Sequence, residues 1–161
     1  MTHPQPATEP LARCTSVSAY LMRPTDLDVG GWNNLALFLQ RPIALQSEFT
    51  HMQLMEDVAQ GRCQLWALVD DETQDPVGAL ISSIVEYESG LRAVVVRSAG
   101  TLGTDLDWES MRSVILTMEY FAADNGCDVV RVPGRRGWGR VFSDYEVAYV
   151  MHEKRIVKEE S

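Results

Sequence analysis

The chain is poor in the residues that would give it an easy assignment. Its three cysteines, Cys14, Cys63 and Cys127, are odd in number and widely spaced, with no C-x-x-C pair. That pattern excludes a disulfide framework and a thiolate metal knuckle. Cys63 and Cys127 each open an apolar run, as small core residues do, and a reduced, cytoplasmic setting is expected. His3, His51 and His152 stand far apart without ligand spacing, so no metal is expected. No stretch approaches the roughly 20 apolar residues of a membrane-spanning helix. The opening "MTHPQPATEP" has neither a basic start nor an apolar run, so no secretory signal is expected. Positive charge is scarce: 14 Lys and Arg against 23 Asp and Glu leave a net −9. A field of that sign repels nucleic acid and anionic membrane alike, which excludes general binding to either.

What is present reads as one domain of layered α/β type. Residues 1–15 hold three prolines and few large apolar groups, a flexible lead-in; the domain is expected over 16–157, with a tail at 158–161. "SVSAYLMRP" predicts a first strand. Trp32, Leu35, Phe38 and Leu39 share one helical face, with Asp26 or Asp28 as cap and "RPIALQ" after it. Leu54, Met55, Val58 and Ala59 mark a second helix, capped by Ser47 or Thr50 and stopped by Gly61. "CQLWALVDD", "VGALISSIVEY" and "LRAVVVRSA" follow with short turns between them, an antiparallel meander. Trp108, Met111, Ile115, Met118 and Ala122 recur at 3, 4, 3 and 4, widened by Val114 and Phe121, and Asn125-Gly126 closes that helix. "CDVVRVPG" predicts a strand, "GWGRVFSDY" a short helix, and Val147, Tyr149 and Met151 alternate along a last strand. The order β-α-α-β-β-β-α-β-α-β gives a mixed, mostly antiparallel sheet with helices on both faces.

Two segments carry candidate chemistry. "RSAGTLGTDLDW" (97–108) runs from a strand into a helix, where free N–H groups suit an anion. Gly100 and Gly103 permit close backbone approach. Asp105, Asp107 and Glu109 crowd the same helix end, and acids there serve equally well as caps. "RVPGRRGWGR" carries Arg131, Arg135, Arg136 and Arg140 and no acid, a local reversal of the chain's sign. Paired guanidiniums clasp phosphate, bind a protein partner, or pair with the abundant acids. No G-x-S-x-G elbow occurs, and no cysteine has a base near it in sequence.

The element order, with Leu65-Trp66, "EYESG" (86–90), "NGCDVV", "GRRGWGR" and the closing "HEK", resembles the GNAT-type N-acetyltransferases over about residues 16–157. The local text is similar to the GNAT-like proteins of tailed phages and prophages. The resemblance implies that strands 94–98 and 129–132 splay apart around acetyl-CoA, with a pyrophosphate loop at 99–104. It puts cofactor contacts at Val95, Val96, Arg97, Gly100, Leu102, Gly103 and Thr104, helped by Arg135, Arg136 and Arg140. Glu86 is the implied general base, and Tyr145, near the place of the family's general acid, is the candidate for that role. The chain departs from the family pattern twice. Its loop lacks the R/Q-x-x-G-x-G/A signature, and in the Y-x-x-x-G-F pattern the tyrosine's place falls on Phe142, with Glu146-Val147 for Gly-Phe. The implied activity is acetyl transfer from acetyl-CoA to an amine. The alternatives are a catalytically silent phage accessory or virion-associated protein acting through contacts with a phage structural or host protein, and a CoA or nucleotide binder without turnover. Each would reside in the cytoplasm, the host's if phage-encoded. Oligomeric state is not legible.

Overall fold

The computed structural model describes residues 16–26, 29–44, 49–101, 106–133, 144–148 and 151–158. The lead-in expected over 1–15 lies outside them. A five-stranded sheet in the order β1-β2-β3-β4-β5 organises the chain. Its strands are β1 (Val17–Met22), β2 (Gln64–Asp70), β3 (Pro76–Glu86), β4 (Arg92–Thr101) and β5 (Val129–Arg131). The first four are antiparallel neighbours, and β5 lies parallel to β4. Helices α1 (Val29–Ala44) and α2 (His51–Ala59) join β1 to β2, and α3 (Trp108–Asp124) joins β4 to β5. This is the mixed α+β domain expected.

The period-2 alternation of β2 explains the layers. Leu65 and Ala67 face α1 and α2, in a cluster with Trp32, Leu35, Leu39, Leu54, Val58 and Ile81. Trp66 and Leu68 point the other way, into a cluster with Val17, Leu80, Val96, Val114 and Met118. Because both faces are covered, the strand is apolar at four consecutive positions, 65–68, all buried. Trp66 anchors the α3 layer. Its ring meets Phe121 edge-on at 5.1 Å, and its indole N–H donates to the buried Ser82 hydroxyl at 2.9 Å, which donates in turn to Gln64. Cys63 sits in the α1 layer, where burial pushes its thiol up.

The helices differ from their sequence patterns in instructive ways. On α2 only Leu54 and Val58 are buried, while Met55 and Ala59 face outward. Thr50, not Ser47, closes a reciprocal cap with Gln53: its hydroxyl accepts from the Gln53 N–H at 3.2 Å, and the Gln53 side chain accepts from the Thr50 N–H at 2.8 Å. On α3 the stripe holds at Val114, Ile115, Met118 and Ala122, but Trp108 is 57% exposed. Gly126 ends that helix at φ +66°. Helix α1 runs through Pro42 to Ala44, although "RPIALQ" suggested an earlier end. In the last turn the proline forfeits one backbone bond, and its ring packs toward β4. The expected short helix at 137–145 lies mostly outside the described residues. Residues 145–148 and 151–158 are in no strand, and Val147 and Met151 are about three-quarters exposed, 74% and 70%. Alternation marks what a strand is able to bury; it supplies no partner.

Gly100, expected in a phosphate loop, lies inside β4. A Cβ built there would stand 2.1 Å from the Phe38 carbonyl oxygen and 2.9 Å from Pro42 Cγ, so the close approach it permits is that of the α1 backbone. Gly100→Ala is expected to lower stability by about 3 kcal/mol or more, read in a denaturant titration. A variant with the wild-type midpoint and altered ligand binding alone would instead return Gly100 to a ligand loop.

Candidate functional site

β4 is bonded along its length to β3 but only briefly to β5. The parallel ladder comprises Ala93 with Val129, Val94 with Val130 and Val95 with Arg131. Beyond Val95, β4 continues to Thr101 with no described strand on that edge. The closed end of this fork is fastened three times. The Asp128 N–H donates to the Arg92 carbonyl at 2.8 Å, the Arg92 N–H to the Asp128 carboxylate at 3.0 Å, and the Arg92 guanidinium to the Asn125 carbonyl at 3.3 Å.

A bulge coincides with the parting. Ser82 opposes Val96 and Ile81 opposes Ser98, which leaves Arg97 as an extra residue in β4. An extra residue bends its strand and sharpens the local twist, turning β4 away from β5 two residues past their last pair. In the opening lies a cavity of about 190 Å³, walled by Leu80, Val96, Met111, Val114 and Val132 and bordered by the 97–99 segment. It is apolar except where the strand edge meets it. Such a slot suits a narrow chain carrying amides at intervals: apolar walls exclude water and an open strand edge offers hydrogen bonds.

The expected contact residues distribute as follows. Val95 closes the ladder and Val96 walls the cavity. Arg97 borders the cavity, yet its guanidinium lies on the α2 side, 5.0 Å from the centre of the Phe49 ring. Leu102, Gly103, Thr104, Arg135, Arg136 and Arg140 lie outside the described residues. Arg131, the first arginine of the basic segment, stacks on Tyr87 at 4.8 Å, at the closed end. The start of α3 carries its own anion. Asp107 is the N-cap, and its carboxylate accepts from the Ser110 N–H at 2.8 Å. Of the two uses open to that acid, capping is the one observed.

Glu86 pairs across the hairpin with Arg92, its carboxylate 3.3 Å from the guanidinium and its side chain 64% exposed. Three residues of β4 separate Arg92 from the last ladder pair, about 10 Å of strand. A general base must reach its proton directly or through one water. In this arrangement Glu86 ties the hairpin through Arg92. Tyr145 fares differently. Burial pushes its phenol up, and the Glu119 and Asp144 carboxylates add to the shift.

The bulge had no signal in the sequence, since an arginine occupies it where glycine would have announced one. Among the described residues no three His, Cys, Asp or Glu side chains gather as a metal site, and no helix is long and apolar enough to cross a membrane.

No family model matches the sequence, and no curated protein matches it. Solved structures do match. An aminoglycoside acetyltransferase from an uncultured soil metagenomic sample, in complex with sisomicin, is 14% identical, with TM-score 0.59 over 88% of this chain and 97% of its own. A probable acetyltransferase is 11% identical, with TM-score 0.62 over 90% and 100%. Aminoglycoside N-acetyltransferase AAC(6')-Iy, in complex with CoA, is 14% identical, with TM-score 0.60 over 86% and 94%. Identities this low carry the architecture and no chemistry. The five-stranded mixed sheet, its helical layers and its fork make this the fold of the GNAT-type acetyltransferases.

Proposed function

We propose that the chain is an N-acyltransferase that takes its acyl group from acetyl-CoA and gives it to an amine, with the fork as the donor site. The observation that carries this is the coincidence of an open β4 edge with an apolar cavity beside it. A pantetheine arm is thin and bears amides at intervals, so it fits both features. Main-chain groups of Val96 to Gly100 hold those amides, while Val96, Met111, Val114 and Val132 keep water from the thioester. Bound there, acetyl-CoA supplies an activated acyl carbon. The Tyr145 phenol retains its proton throughout the neutral range, the state required of the group that protonates a departing thiolate. The family resemblance adds the 102–104 segment with Arg135, Arg136 and Arg140 as phosphate contacts. Asp107 opposes them, and the expected affinity is correspondingly modest.

A second reading, a non-catalytic phage accessory or virion-associated protein, is favoured by that same cap and by the outer face of α3. There Trp108, Leu116 and Tyr120 are exposed at spacings of 8 and 4 residues, which share one helical stripe.

Acetyl-CoA at 100 times its Kd is expected to stabilise the protein by about 2.7 kcal/mol, on the order of 5–10 °C in melting temperature for a chain of this size. Absence of any shift at millimolar acetyl-CoA ends the acyltransferase reading and leaves the second. Asp107→Asn keeps an equally good cap and removes one charge. Loss of one unit charge beside a bound diphosphate is worth about 1 kcal/mol, so CoA affinity is expected to rise about three- to fivefold; unchanged affinity would move the phosphates away from the start of α3. In an assay of CoA thiol release over a panel of amines, Tyr145→Phe is expected to lower kcat by about 100-fold, the lower end for general acid catalysis. Full activity in that variant would leave the phenol a packing role only.

A further inference from the structure

Arg97 borders a second recess on the opposite face of β4. It has a volume of about 360 Å³ and is lined by Phe49, Gln53, Glu56, Asp57, Arg62 and Arg97. Its charges are matched unevenly. Asp57 is held by Arg62 through two contacts, 2.8 Å from Nε and 2.7 Å from Nη2. Glu56 accepts from the Gln60 side-chain amide at 3.2 Å. Among the described residues no carboxylate stands within salt-bridge distance of Arg97, although the chain carries 23 acids. The guanidinium rests instead over the Phe49 ring at 5.0 Å. A guanidinium that rests on a ring face keeps its N–H edge for an anion.

A guanidinium edge recognises carboxylate or phosphate in bidentate fashion. Glu56 and Asp57 on the recess wall disfavour a dianion and favour a ligand that also carries positive charge. The bulge makes Arg97 border both the donor cavity and this recess, so a molecule anchored on its guanidinium lies across β4 from the acyl group. We propose that the recess is the acceptor site and that Arg97 binds the carboxylate of an acceptor bearing both an amine and a carboxylate, an amino acid or a short peptide. This rests on the acyltransferase reading.

The test uses the full-length ¹⁵N-labelled protein without acetyl-CoA. Glycylglycine and glycylglycinamide are titrated separately while the Arg97 Nε–Hε resonance, assigned by its loss in Arg97→Lys, is followed by NMR. Glycylglycine is expected to move that resonance saturably and the amide to leave it in place. Arg97→Lys, which keeps the charge and loses the fork, is expected to weaken glycylglycine binding at least tenfold, followed through backbone amides of α2. Equal responses to both probes, no response to either, or undiminished affinity in Arg97→Lys would overturn the proposal. The acetyl-CoA melting shift on the same sample separates the two failures. A shift without a glycylglycine response removes only the carboxylate assignment, whereas a response without a shift removes the donor site and with it the acceptor role, leaving Arg97 as a carboxylate-binding residue alone.

Discussion

The site depends on a conflict within β4. A strand joined to neighbours on both edges follows the twist of both, and β4 satisfies β3 over its whole length and β5 over only three pairs. The extra residue at Arg97 resolves the conflict by ending one ladder while preserving the other. From that single irregularity follow the opening beside Val96, the apolar cavity under α3, and a residue that borders both sides of the sheet. The closed end is over-determined by comparison. Arg92, Asp128 and Asn125 bind β4 to the turn before β5, so the fork has a fixed apex from which to open.

Around this opening the packing has little freedom. Helix α1 crosses β4 at Gly100, the position where a side chain would collide with the helix backbone. The other face is set by Trp66, whose ring and indole N–H both find partners within the α3 layer. The strand that forms the site is thus held rigidly by its neighbours on each face, and only its free edge is left to make new bonds. Rigid support beneath an open edge is what a binding site requires. The start of α3 is less favourable to a phosphate-bearing ligand, because Asp107 already satisfies an N–H that such a ligand would use. The protein combines a well-formed apolar slot beside an open strand edge with a helix end that resists negative charge.

Much of the architecture was legible, because it rests on periodicity. The meander, the α3 stripe at Val114, Ile115, Met118 and Ala122, and the strand 129–131 follow from apolar spacing alone. Pro42 shows where local signals mislead: a helix-breaking residue sits inside α1 because its ring packs against β4 at a glycine 58 positions away. Trp108 and Met55 fit their helical stripes and are exposed, since a stripe fixes a face but not how much of it the sheet covers. The site was harder. The family resemblance, and not their own composition, singled out Val95 and Val96, and Asp107 was recognisable as a cap. Arg92 becomes the neighbour of Glu86 only once the hairpin closes, a pairing that the local sequence does not record. The bulge at Arg97 is a property of pairing between strands, which no single strand's composition records.

Hydrogen exchange along β4, with and without coenzyme A, tests the fork most directly. In the free protein, amides of Val96 to Gly100 that point toward β5 should exchange quickly, while those of Ala93 to Val95 on the same edge stay protected. Coenzyme A should slow the first group and leave the second unchanged. Full protection along the whole edge in the free protein would mean that no fork exists, and open-edge amides that coenzyme A leaves unprotected would mean that it is not a donor site.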